Sequence, residues 1–264
     1  MGSLRFGTDG GRLRVAAVLA VALGSSTAWA NLRAPRREPV MPSSAVQPVD
    51  PASHLRVVHE DLTFRCHGQS CQVTATYAID ADAAIATELA FVLPVDMAVA
   101  ARVGSTSAPT TVTRLNAPPP GFNQRLDVRH EYSLADGAPL PPLYQAVARV
   151  SFAPGRNQAS FSYEQPLGAV EIGHSYFHKG AMVPRLLYVL WPLREWKRAP
   201  GFTIALRIEM DREPPGWWTR TFGHPATVGC EQFEGQQAQV GPRLVYTATL
   251  PDNFPDYLQC DVGP

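Results

Sequence analysis

From Leu55 onward the chain alternates, with apolar side chains at every second position in short runs. Leu89, Phe91 and Leu93 run up to Pro94, and Met97, Val99, Ala101 and Val103 alternate with Ala98, Ala100, Arg102 and Gly104. Leu126, Val128, His130, Tyr132 and Leu134 interleave with Arg125, Asp127, Arg129, Glu131 and Ser133. Ala146, Ala148, Val150 and Phe152 lead into the turn Ala153-Pro154-Gly155-Arg156-Asn157, and Ala159, Phe161 and Tyr163 follow it. Phe202, Ile204, Leu206, Ile208 and Met210 form a later run, and Leu244, Tyr246, Ala248 and Leu250 another. Period two is the signature of strands with one buried face. Leu186 to Trp191 is apolar on both faces and reads as a central strand. With Pro and Gly between the runs and no convincing helical period, the pattern predicts an all-β fold of antiparallel β-sandwich type.

The chain divides further by composition. Gln165-Pro166-Leu167-Gly168 interrupts the strands, which predicts two immunoglobulin-like sandwich domains at residues 54–165 and 169–264; one continuous β body is the alternative. Residues 31–53 hold five prolines and few periodic apolar positions, and read as a Pro-rich tether. Residues 1–30 carry Arg5, Arg12 and Arg14, then the apolar run Val15 to Leu23, then Ala28-Trp29-Ala30. That is the build of a secretory signal peptide cleaved after Ala30. Gly24 to Thr27 cuts the apolar run short of the roughly 20 residues a membrane span needs. No cysteine lies near the cleavage point to accept a lipid, and no transmembrane segment is expected after cleavage. The protein is therefore expected to be exported, to the periplasm or the extracellular space.

Charge narrows the partners. Residues 1–30 hold three of the 23 Lys plus Arg and one of the 23 Asp plus Glu, so the mature 234 residues carry 20 against 22. A near-neutral chain without a basic cluster lacks the electrostatic footprint of a nucleic-acid binder. The expected partner is instead an unknown protein or glycan of the cell envelope.

Export makes disulfides available, and the stretch Phe64 to Cys71, FRCHGQSC, fits one. With Cys66 opposite Cys71 in an antiparallel hairpin, Phe64 faces Val73, Leu62 faces Ala75, Glu60 faces Tyr77 and Val58 faces Ile79. All of these share the cysteine face, and Glu60 is its one polar misfit. The other face pairs Arg65 with Gln72, Thr63 with Thr74, Asp61 with Thr76 and His59 with Ala78. A slip of one residue would invert both faces, so the register is specific. Cys230 and Cys260 then form the second bridge. By loop entropy the first contributes about 2 kcal/mol and the second nearer 4, pinning the C-terminal tail. A zinc site would need two close ligand pairs, and a redox pair ordinarily has two residues between its cysteines.

Motifs for common chemistries are missing: no G-x-S-x-G, H-E-x-x-H, G-x-G-x-x-G or phosphate loop occurs. Glu171-Ile-Gly-His174-Ser-Tyr-Phe-His178-Lys179 is the densest polar cluster. His174 and His178 would be about 13 Å apart on a strand, too far to share a metal, and adjacent on a helical turn. Asp80 with Asp82, and Asp252 with Asn253 and Asp256, offer oxygen ligands in predicted turns, though Asx residues favour turns anyway. Trp217 and Trp218 follow the turn Pro214-Pro215-Gly216, and an exposed one could stack on a sugar or anchor a protein.

The runs HEDLTFRC, CQVTATYAI and LAFVLPVDMAVAARV, the turn FAPGRNQASFSYEQPLG and the later LLYVLWPLREWK resemble a group of uncharacterised exported bacterial proteins. Their N-terminal part is similar to the sandwich at the front of inter-alpha-trypsin-inhibitor-like proteins. The resemblance implies a fold and transfers no catalytic residue. The expected function is a non-catalytic cell-envelope binding or structural module without a cofactor. The alternatives are a carbohydrate-binding module using an exposed Trp and a metal-dependent enzyme with a His174/His178 site.

Overall fold

Side chains that alternate between apolar and polar satisfy core and water together only on a pleated strand, and the alternating runs are strands. The computed structural model describes residues 31–33, 54–93, 96–116, 143–172, 181–211 and 227–263. In chain order the strands are β1 (Asn31–Arg33), β2 (Leu55–His67), β3 (Ser70–Ala81), β4 (Ile85–Leu93), β5 (Ala100–Val103), β6 (Thr106–Ala108), β7 (Thr110–Leu115) and β8 (Leu143–Phe152). They continue as β9 (Gly155–Pro166), β10 (Gly168–Ile172), β11 (Ala181–Val189), β12 (Arg198–Asp211), β13 (Thr227–Cys230), β14 (Gln236–Val240), β15 (Arg243–Leu250) and β16 (Tyr257–Gly263). A 3-10 turn spans Trp191–Glu195. Among the described residues no helix is long and apolar enough to cross a membrane.

Eight strands form the back sheet, in the order β14-β15-β12-β2-β3-β9-β5-β6. A first front sheet, β1-β4-β8-β7, packs on part of it, with the Phe91 ring 4.1 Å from that of Phe161 on β9. A second front sheet, β10-β11-β16-β13, covers another part, with Tyr188 of β11 edge-on to Phe64 of β2 at 5.5 Å. Side chains from all three sheets belong to one buried core. The all-β sandwich is as expected from the alternation.

The two expected domains share their back sheet. Each segment supplies one front sheet and part of the back sheet, and the parts are joined by β2 and β12, which pair in parallel from His59 with Thr203 to Cys66 with Met210. The sheet thus crosses the division expected at Gln165–Gly168, in the manner of a continuous β body, and one pairing departs from the antiparallel rule. Local packing gives the reason. Gln165 is fully buried and its Nε2 donates to the carbonyl of Leu187 at 2.8 Å, while the N–H of Leu167 donates to Gln69 at 2.8 Å. What reads as a linker is a packed bend carrying the chain from back sheet to front.

The hairpin register holds from His59 opposite Ala78 to Cys66 opposite Cys71, and the disulfide is formed. Beyond His59 it shifts by one. Val57, not Val58, faces Ile79, because a bulge leaves Val58 and His59 both half-buried and returns Val57 and Leu55 to the core. Cys230 and Cys260 lie opposite each other on β13 and β16 and form the second disulfide, which ties the C-terminal strand into the second front sheet. Leu186 to Leu190 is buried on both faces. The strand expected from Met97 starts at Ala100. The turn at Ala153-Pro154 is a corner between sheets, since β8 lies in front and β9 behind. Its shape is held by Asn157, whose Nδ2 donates to the Ala153 carbonyl at 2.7 Å, and by Gly155 at φ 92°.

The expected tether, residues 31–53, begins with a strand, as Asn31 to Arg33 pair with Val92 to Ala90 of β4. Residues 34–53, the expected signal peptide 1–30 and the expected strand 126–134 with His130 lie outside the described residues.

Candidate functional site

An antiparallel or mixed sheet commonly packs one face and leaves the other to water. Outward positions of the back sheet fall in rows set by the register. One row runs Thr249, Ala205, Asp61, Thr76 and Ser160; the next runs Thr247, Arg207, Thr63, Thr74 and Ser162. Alanine at 205 makes a dip between Asp61 and Thr249. At the rim β14 arrives through Glu234, Gly235 and Gln236, and the result is an open groove of about 540 Å³. The rim can sit this close because residue 235 is glycine: a Cβ there would lie 2.3 Å from Cζ of Tyr246. Tyr246 in turn donates its hydroxyl to the carbonyl of Phe233 at 3.3 Å.

One end of the groove is anchored by charge. Glu209 is 8% exposed and is held by Arg207 Nε at 2.6 Å, Arg243 at 3.1 Å and Arg65 at 3.7 Å. The hydrogen bond from Arg207 is the main cause of a carboxyl that stays below the usual glutamate range. Asp211 is likewise lowered, first by Arg243 at 3.0 Å and then by His67 at 3.1 Å. Much of the charge of Arg207 is therefore spent on Glu209. The groove itself offers acceptors on Asp61 and Glu234, hydroxyls on Thr63, Thr247 and Thr249, and the amide of Gln236. Such a lining presents hydrogen-bond donors and acceptors to whatever enters the groove.

At the other end His59 accepts or donates at both ring nitrogens, 2.9 Å from Thr203 Oγ1 and 3.1 Å from Asp61 Oδ1. A hydroxyl, an imidazole and a carboxylate in line are the parts of a nucleophilic relay. Here the side chains of His59 and Asp61 are 33% and 61% exposed. Electrostatic activation depends on excluding water, and this line, which meets the groove at Asp61, is open to it.

Glu60, the polar misfit of the hairpin, is 0% exposed. It faces Tyr77, and the Tyr188 hydroxyl lies 3.5 Å from Oε1. Burial pushes its carboxyl up to about 8, against hydrogen bonds from Tyr77 and Tyr188. Burial also raises the hydroxyls of Tyr77, Tyr163 and Tyr188 well above the ordinary tyrosine value, so they remain protonated donors. This knot lies in the core, out of reach of the groove.

Of the site residues expected from sequence, the four cysteines are paired. Trp217, Trp218, His174 and His178 lie outside the described residues. The turn acids are engaged by arginines: Asp80 by Arg156, Asp82 by Arg56 at 3.7 Å, Asp252 by Arg198 at 3.1 Å and Asp256 by Arg194 at 2.6 Å. Among the described residues no three His, Cys, Asp or Glu side chains cluster as metal ligands. Sequence reasoning missed the groove, because each of its residues is an ordinary outward position and only strand order assembles them. Glu60 did carry a signal, as a charge in an apolar row.

No family model and no curated protein matches the chain. Among solved structures it is similar to a candidate nutrient-binding protein of Legionella pneumophila, at 12% identity and TM-score 0.47, over 78% of this chain and 67% of that one. Leukotriene A4 hydrolase from Saccharomyces cerevisiae gives 12% identity and TM-score 0.43, over 84% of this chain and 32% of that one. An M1 zinc metallopeptidase from Deinococcus radiodurans gives 12% identity and TM-score 0.36, over 79% and 42%. The chain thus spans less than half the length of either enzyme, and at these values the likeness assigns no function.

Proposed function

We propose that this protein is an exported, non-catalytic binding or structural module of the cell envelope, whose ligand-facing surface is the groove on the back sheet. The observation that carries the reading is the groove itself. It joins residues from β2, β12 and β15 with a glycine-dependent rim into a concave surface of acceptors, hydroxyls and one guanidinium. Concave sites with a few convergent polar groups are the default place for a ligand. The leader Arg5 to Ala30 and the two disulfides support an oxidising destination. The resemblance to exported bacterial proteins with an inter-alpha-trypsin-inhibitor-like front sandwich agrees with it.

The test is site-specific photo-cross-linking in the native host, with the reactive residue at Thr63 or Thr247 in the groove and at Thr111 as an exposed control on β7. The expected result is a chain that begins at Asn31 in the envelope fraction and forms one adduct from the groove positions, suppressed when Ala205→Leu fills the dip. Retention of residues 1–30 in the cytoplasm, or adducts that arise equally from Thr111, would overturn the reading.

A further inference from the structure

Burying a carboxyl costs free energy unless it is paired or kept neutral, so a glutamate at 0% exposure in a sandwich core makes the fold depend on its proton. Glu60 sits on β2 in the middle of the back sheet, with Tyr77 of β3 on one side and Ile204 of β12 on the other. Tyr188 of β11 reaches it from the second front sheet, its hydroxyl donating to Oε1 at 3.5 Å. Oε2 is buried and meets no donor among the described residues. The titratable groups acting on the carboxyl are the hydroxyls of Tyr77 and Tyr188, that of Tyr163 on β9, and Asp61, which follows it on the outer face. Among the described residues no cation joins them. An ionised carboxylate here would lack a counter-charge and, at Oε2, any donor.

We propose that this carboxyl is a latch for the second front sheet: when Glu60 loses its proton, β10-β11-β16-β13 parts from the back sheet as one unit while the rest of the sandwich stays folded. The connections on the two sides decide which part moves. Glu60 and Tyr77 are held in the back sheet by backbone pairing on both flanks, β2 by β3 and β12, and β3 by β2 and β9. The second front sheet carries its own staple, because the Cys230–Cys260 disulfide joins β13 to β16 within it, and it can therefore move whole. Side-chain contacts hold it to the back sheet. They include the Tyr188 hydroxyl, the edge-on Tyr188–Phe64 pair at 5.5 Å, the Gln165 amide on the Leu187 carbonyl at 2.8 Å, and the Val228 N–H on Gln237 Oε1 at 3.3 Å. Parting admits water to the carboxylate, and the hydration it gains drives the movement. The closed form keeps its proton up to about 8 and the open form releases it near 4.5. Between those values each pH unit favours the open form by about tenfold.

Hydrogen exchange read by mass spectrometry on the full mature chain, disulfides intact, tests this from pH 6 to pH 9, with rates corrected for the intrinsic pH dependence of amide exchange. Peptides covering β10, β11, β13 and β16 should lose protection together, about tenfold per pH unit up to pH 8 and no further above it. Peptides of β4 and β8 in the first front sheet should exchange more slowly at every pH, and far-UV circular dichroism should not change. Glu60→Gln cannot ionise and should hold one level of protection throughout. Protection that is flat with pH in the wild type would overturn the proposal, as would a slope that Glu60→Gln retains. So would an equal loss in both front sheets and the back sheet, which is unfolding of the whole chain. If Glu60→Gln does not fold, the comparison between the sheets of the wild type still decides.

Discussion

Replacing Glu60 with glutamine keeps the shape of the side chain and removes its titration, and the consequence follows from the burial of that carboxyl. An ordinary glutamate releases its proton near 4.5, whereas Glu60 holds it up to about 8. In the window between, the folded chain binds a proton that the unfolded chain has released. Folding then takes up a proton, and stability falls as pH rises by about 1.4 kcal/mol per unit. The fall starts near the unfolded value and flattens above the folded one. For this group alone it amounts to about 4 kcal/mol between pH 5 and pH 9. The carboxylates that arginines hold low act on the acid side of this window, so the difference between wild type and Glu60→Gln isolates the buried group. Urea unfolding followed by tryptophan fluorescence, disulfides intact, measures it. Glu60→Gln should gain on wild type steadily from pH 5 to pH 8, with the gap constant above that. A gap that does not change with pH across this range would refute the argument, because Glu60 would then not be a carboxyl kept neutral by its surroundings.

Two further outcomes follow. Glu209 is held low by Arg207, so its stabilisation is complete above the unfolded value of 4.5 and is lost as pH falls through the lower folded one. Glu209→Gln should therefore cost stability at neutral pH and progressively less as pH falls below 4.5, as read by denaturant midpoints across that range. Cys230 and Cys260 close a loop of 30 residues and Cys66 and Cys71 one of five. Replacing both members by serine should cost about 4 kcal/mol for the first pair and about 2 for the second, measured by urea unfolding at neutral pH; equal losses would contradict the loop-entropy account.

Cys66 and Cys71 lie so close in sequence that pairing them sets the hairpin register at once. That register was legible down to His59, as was the misfit of Glu60. The bulge at Val58 was not, because the gain from returning Val57 and Leu55 to the core depends on what covers them. Gln165 misled for a related reason. A polar residue beside proline and glycine suits a linker, and only the carbonyl of Leu187 makes it a buried tie between sheets.

By itself the sequence determined which residues turn inward, where strands stop, and which cysteines meet, since these follow from period two and from contacts between near neighbours. Strand order was decided only by the tertiary structure. Alternation reports whether a side chain faces core or water and says nothing of which strand lies alongside. Closing a longer loop adds only slowly to its entropic cost, so β2 could pair with β12, from which His59 and Thr203 are 144 residues apart, as readily as with nearer strands. Packing of the two front sheets on one shared back sheet made that choice. With it came the row that sets Asp61, Ala205 and Thr249 side by side and so forms the groove.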